Sequence, residues 1–311
     1  MSRTNRRQRS ERRSQNAEVT AAEPNPVVSW CLGGELTPRI LGGLAGIGAA
    51  LCLLAGCAGA GRVEPTSAYA QLEPGASVEL GSSAAAICQD GETLLVLENS
   101  GTRVVRYTTA LSILDTIPLT DRVTAPVGIA TDRFYIYIYD DHTLYRMSKG
   151  KLDLRPWMGD VRVAGLASFE PGIMLVSDAD HNAVWYKGLF GESRMFLSSA
   201  EAARPGAMVS LRDGNFAVLR PASRLLLFFN RDGVVTRSVS LPAACDLLAS
   251  NGQDLLCTGV GGKPRVWVLN AGKMTGYSLP EAVSPLSLAV VGNSLAVLDA
   301  GTKLDLFRIG N

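Results

Sequence analysis

The feature that most restricts this chain is a unit of about forty residues that returns six times. Each unit opens on a short stretch of small and apolar residues: Ala85–Ile87, Val127–Ala130, Ala164–Ala167, Ala207–Val209, Leu247–Ala249 and Leu286–Val290. A tight-turn pair follows, as Asp90-Gly91, Pro171-Gly172, Asp213-Gly214, Asn251-Gly252 and Gly292-Asn293, residues that supply positive φ or preset turn geometry. Asp132-Arg133 in the second unit is the weak member. Second strands are expected at Leu94–Leu97, Tyr135–Tyr139, Met174–Ser177, Phe216–Leu219, Leu255–Thr258 and Leu295–Leu298. Third strands are expected at Val104–Tyr107, Leu144–Met147, Val184–Lys187, Leu225–Phe229, Val266–Leu269 and Leu304–Ile309.

Apolar residues come in short packets instead of long helical stripes, so the class is all-β. The spacing is that of one four-stranded blade, which predicts a six-bladed β-propeller over residues 78–311. The last unit stops after three strands, while a spare strand, Ser77–Leu80, precedes the first. An N-terminal strand that completes the last blade closes the ring and removes its exposed edges. A sandwich and an irregular seven-bladed ring are the alternatives.

The N-terminal fifth is built differently. Residues 1–39 form a basic stretch, with Arg3, Arg6, Arg7, Arg9, Arg12 and Arg13 crowded at its start and Arg39 at its end. Residues 40–56 add an apolar run, Ile40 to Leu54, too short for a bilayer of about 30 Å and suited to the core of an export signal. The basic stretch is long for such a signal, so translation starts either at Met1 or near Val27 and Val28. The arginine pairs lack the apolar residues that a twin-arginine signal places after them. Residues 57–77 are rich in Ala, Gly, Pro, Ser and Glu without periodicity and read as a tether.

The run ends in Leu54-Ala55-Gly56-Cys57, which resembles the lipobox of bacterial lipoproteins. The resemblance implies cleavage before Cys57, acylation of its thiol and stable attachment to a membrane. It further implies the cell envelope; with Ala58 next, a Gram-negative protein would reside on the periplasmic face of the outer membrane or at the cell surface.

The loops between second and third strands resemble the NHL repeat, in which an acid and a downstream base flank a polar turn. Glu98-Asn99-Ser100-Gly101-Thr102-Arg103 and Asp299-Ala300-Gly301-Thr302-Lys303 carry the pair, and Asp178-Ala179-Asp180-His181-Asn182-Ala183 keeps the acid alone. Arg220 and Gly259 replace the acid in units four and five, and unit two has Tyr139 with Asp140 beside it, so the resemblance speaks to fold and not to a ligand.

If the ring forms, Glu98, Asp178, Arg220 and Asp299 end their strands on one rim, where they hold a cation or polar ligand or simply cap their own turns. Gluconolactonase-type lactonases are six-bladed propellers with a channel metal. That resemblance implies a calcium site for which Glu98, Asp178 and Asp299, with Asn182, are the available oxygens. Two histidines, His142 and His181, are few for a zinc centre or a histidine-based triad. Cys245 and Cys257 flank the Asn251-Gly252 turn and either form a disulfide or lie buried as thiols. Trp185 and Trp267 are expected between blades, while Tyr135, Tyr137 and Tyr139 form either a binding ladder or more packing.

After residue 56 the chain carries 23 basic against 25 acidic side chains. A body without a basic stripe argues against nucleic acid as the partner. The function expected is a membrane-tethered, non-catalytic binding or scaffold module for an envelope protein or polar ligand; the competing expectation is a metal-dependent, lactonase-like hydrolase.

Overall fold

The computed structural model describes residues 69–121, 123–198, 203–259 and 265–309. Cys57 and the basic and apolar segments before it lie outside the described residues, as does most of the expected tether. Those described form six antiparallel sheets arranged as the blades of a β-propeller.

Blade one comprises Ala84–Asp90, Thr93–Glu98, Arg103–Thr108 and Ile113–Pro118. Blade two comprises Gly128–Thr131, Tyr135–Tyr139, Thr143–Ser148 and Leu154–Gly159. Blade three uses Val163–Glu170, Ile173–Asp178, Ala183–Lys187 and Ser193–Leu197. In blade four the strands are Met208–Ser210, Phe216–Arg220, Leu225–Phe229 and Val235–Ser240. Blade five is made of Leu247–Ser250, Leu255–Thr258, Arg265–Asn270 and Lys273–Ser278. Blade six has Pro285–Val291, Ser294–Asp299 and Lys303–Arg308, and its fourth strand is the N-terminal Glu73–Glu79.

The closing strand thus begins upstream of the expected Ser77–Leu80, and the chain is already folded inside the stretch read as tether. Ala70–Gln71 adds a fifth, parallel strand to the outer edge of blade five. Leu72, between these strands, is 1% exposed and enters the apolar seam of blades five and six. Tyr69 lies edge-on to the Trp267 ring, and Arg265 stacks over Tyr69.

Six apolar clusters fill the six seams between neighbouring blades. Second and third strands are flanked on both sides and supply most of the fully buried residues, among them Leu94, Leu95, Ile136, Ile138, Val176 and Leu226. The fourth strands outside blade five are mostly exposed: Ile113–Pro118 buries one residue of six. They lack an apolar alternation because one edge and much of each face meet water.

The first strands line a central channel of about 500 Å³. Their inward edges have no strand partner, and side chains bridge some of the gaps between them. The Ser287 hydroxyl of blade six accepts from the Ile87 backbone N–H of blade one (3.1 Å), and the Ser210 hydroxyl of blade four donates to the Ser168 carbonyl of blade three (2.7 Å). Gly165 permits the close approach of blades three and four, since a Cβ there would lie 2.4 Å from the Met208 backbone nitrogen. Because backbone cannot swing aside as a side chain can, Gly165→Ala is expected to cost about 1–3 kcal/mol, read as a lower denaturant midpoint.

Two local readings are resolved by packing. Asp132-Arg133 turns without glycine because the Asp132 carboxylate accepts hydrogen bonds from the Phe134 and Tyr135 backbone N–H groups, both at 2.7 Å. The three tyrosines of blade two are packing, not an exposed ladder. Tyr137 is fully buried with its hydroxyl donating to Asp132, Tyr135 is covered by Arg146, and Tyr139 lies over Gly128, where a Cβ would come within 2.1 Å of its ring.

Candidate functional site

The ring has two ends. One, the turn end, carries the tight turns that follow first and third strands. The other, the loop end, carries the longer loops that follow second and fourth strands, and Glu98, Asp178, Arg220 and Asp299 all terminate second strands there.

Each of the four is engaged locally. Glu98, 6% exposed, pairs with Arg103 at 2.6 Å and accepts from the Ser82 and Ser100 hydroxyls. Burial acts to raise its carboxyl pKa, but hydrogen bonds from Arg103 and Ser82, the Arg103 charge and the Ser100 hydroxyl outweigh it and hold the group below its ordinary value. Asp178, 1% exposed, accepts from the backbone N–H groups of Asp180 and His181, contacts the His181 ring at 2.6 Å and accepts from the Trp185 indole at 3.0 Å. Asp299 accepts from the Ser284 backbone N–H at 2.6 Å, and the Arg220 guanidinium donates to the Ala203 carbonyl at 3.0 Å. None of these contacts joins one of the four to another. Lys303, expected as the base beside Asp299, pairs with Asp305 instead at 3.0 Å.

Asp140, noted in the sequence beside Tyr139 but left out of the rim set, does in blade two what Asp178 does in blade three. It accepts from the His142 and Thr143 backbone N–H groups and from the Tyr145 hydroxyl. The signal was present as an acid next to Tyr139, displaced by one residue from the other blades. His142 and His181 sit in the loops of different blades, and Asn182 adopts positive φ (51°) at the turn after His181. Among the described residues no three His, Cys, Asp or Glu side chains are grouped so as to share a metal ion.

In the structure Cys245 and Cys257 are free thiols, buried, with Sγ atoms 3.2 Å apart. Their mutual hydrogen bond, reinforced by burial, pushes the Cys257 thiol far up, so Cys257 is not an activated nucleophile. Cys88 lines the channel, and burial raises its thiol as well. Burial pushes the Tyr139 phenol up to about 12.

No protein-family model and no curated protein matches the sequence. Solved structures do. A chain of the mitotic checkpoint complex superposes with a TM-score of 0.58 at 10% identity, over 80% of this chain and 95% of that one. A streptogramin B lyase structure gives 0.55 at 10% identity, over 75% and 97%. Virginiamycin B lyase from Staphylococcus aureus gives 0.53 at 15% identity, over 70% and 76%. What is shared is the propeller. At such identities it carries no activity with it, and a lyase and a checkpoint component on one fold illustrate why the role must come from side chains.

The turn end offers more chemistry than the rim. From blade one to blade five, each seam is latched there by a polar side chain. Asp90 of blade one meets Lys149 of blade two at 2.5 Å. Asp132 accepts from the Gly172 N–H of blade three at 2.6 Å, and Arg146 donates to the Leu189 carbonyl at 3.0 Å. Glu170 of blade three pairs with Arg231 of blade four. Arg212 and Arg237 of blade four reach the Gln253 side chain and the Gly272 carbonyl of blade five at 3.2 and 3.3 Å. The series stops there.

Proposed function

We propose that the chain is a lipid-anchored protein of a bacterial-type cell envelope whose propeller binds a protein or polar envelope ligand without transforming it. The observation that carries the anchor is Leu54-Ala55-Gly56-Cys57 at the end of a short apolar run. Cys57 precedes Tyr69, the first described residue, by twelve positions. A chain of that length reaches about 40 Å when fully extended, so lipid on Cys57 would keep the propeller close to the membrane surface. The binding role is supported by the rim, whose carboxylates are taken up by hydrogen bonds within their own blades or loops.

Labelling cells with radioactive palmitate tests the anchor. Wild type should carry label and sediment with membranes, and Cys57→Ala should carry none; label kept by the variant would overturn it. Turnover on a lactone panel, lost in Asp299→Ala, would overturn the non-catalytic half.

A further inference from the structure

Residues 241–246 carry the chain from the outer strand of blade four, Val235–Ser240, to the inner strand of blade five, Leu247–Ser250. The crossing ends in a buried residue, Cys245, and its counterparts ahead of blades two, three and six are Val123, Val161 and Val283, all buried. Each of these valines shares an apolar cluster with a second-strand residue of the blade it leads into: Val123 with Ile138, Val161 with Val176 and Val283 with Val297. Cys245 shares its cluster with Cys257, which stands in blade five where Ile138, Val176 and Val297 stand in theirs.

Packing at this pair of places therefore asks only for two aliphatic side chains, and three blades supply them. In blade five both have become cysteine. Two of the three cysteines among the described residues fall on this one contact, with their Sγ atoms 3.2 Å apart. A disulfide bond is about 2.05 Å long, so the sulfurs have about 1 Å to close, a matter of side-chain rotation. The backbone on both sides is already held. Cys257 is paired with Leu248 and Trp267 in its sheet, and the Asp246 N–H next to Cys245 donates to the Thr258 carbonyl at 3.0 Å.

We infer that Cys245 and Cys257 are a disulfide-forming pair, closed by exchange with a small-molecule or protein disulfide, and that the bridge fastens the crossing from blade four to the second strand of blade five. One cysteine sulfur attacks the incoming disulfide, forms a mixed disulfide and releases one half of it. The second cysteine sulfur attacks the first and releases the other half. Two protein thiols are oxidised to one bridge, one disulfide is reduced to two thiols, and the two thiol protons end on the released halves. Both sulfurs are buried, so exchange takes place before the seam packs or when it opens, and the closed seam then shields the bridge from reductants. Oxidation in cells rests on the reading of the chain as an envelope protein; the pairing does not.

The test begins with the full chain purified under reducing conditions. It is given oxidised glutathione in urea just below its unfolding midpoint, where the seam opens often enough to admit the reagent, and is returned to buffer. No Lys or Arg lies between Cys245 and Cys257, so one tryptic peptide holds both. That peptide should be lighter by two hydrogens and resist alkylation until reduced. The bridged protein should melt about 5–10 °C above its reduced form, as closure of a loop this short in a domain this large implies. Cys245→Ala should melt at one temperature with or without reductant. A peptide that keeps both thiols, or a bridge from either cysteine to Cys88, would overturn the pairing. Alkylation of intact cells at harvest reads the native state, in which both cysteines should be blocked until reduction. Both found free in cells, with the bridge forming in the purified chain, would overturn export and leave the pairing standing.

Discussion

Deletion of residues 69–79 is expected to abolish the folded ring. Glu73–Glu79 is the outer strand of blade six, paired along Lys303–Arg308 from Glu73 opposite Arg308 to Glu79 opposite Lys303. Val78 packs on the seam of blades six and one, and Leu72 is buried in the seam of five and six. Without them blade six keeps three strands, a new sheet edge opens, and two of the six seams lose a wall. Leu72→Ala alone should cost about 2–5 kcal/mol, the usual range for a large side chain removed from a core. Loss of the whole segment approaches the full stability of a domain, about 5–15 kcal/mol. The measurement is a thermal melt followed by circular dichroism, with limited proteolysis alongside. A truncated protein that melts cooperatively at the wild-type temperature would show that the ring closes without this strand.

Asp178→Ala is expected to be the most damaging single change on the rim, at about 3–4 kcal/mol. The buried carboxylate holds two backbone N–H groups, the Trp185 indole and the His181 ring in one loop. Removing it forfeits four contacts to one carboxylate at once and leaves a void where a buried side chain stood. Asp299, less buried and accepting from Ser284, should cost about 1 kcal/mol when replaced by alanine. Urea denaturation of the two variants checks the ranking, and equal midpoints would refute it. A ligand titration aimed at the rim should therefore use Asp299, where binding and folding can be separated; at Asp178 they cannot.

Three strands of each blade were legible because their residues are sandwiched between neighbours and must be apolar or small, as in Leu94–Leu97, Ile136–Ile138 and Leu225–Phe229. The fourth strands were not. Ser193–Leu197 and Val235–Ser240 are chiefly exposed, so solvent places little demand on their composition and they read as loop. Residues 70–76 were read as tether because Gly75 and Pro74 are poor strand formers. The strand tolerates them through a register irregularity between Pro74 and Ser77, and Gly75 leaves only 3.0 Å between a Cβ position and the Leu306 carbonyl.

The rim acids could be found because each ends a second strand, and Arg103 could be set beside Glu98 from the repeat, but the other partners could not. Asp178 reaches Trp185 across a loop, and Lys303 turns to Asp305, a choice set by the side-chain alternation of its own strand.

Blade six is assembled from the two extremes of the described chain. Whatever order the blades form in as the polypeptide is made, Glu73–Glu79 is synthesised before all of them and its partner Lys303–Arg308 after nearly everything else. The strand must wait, unpaired, while more than 220 residues separate it from the one sequence it fits. A contact of that separation comes late and slowly, so folding is gated by the arrival of Lys303–Arg308, and a chain cut short before that strand retains five blades and no way to close.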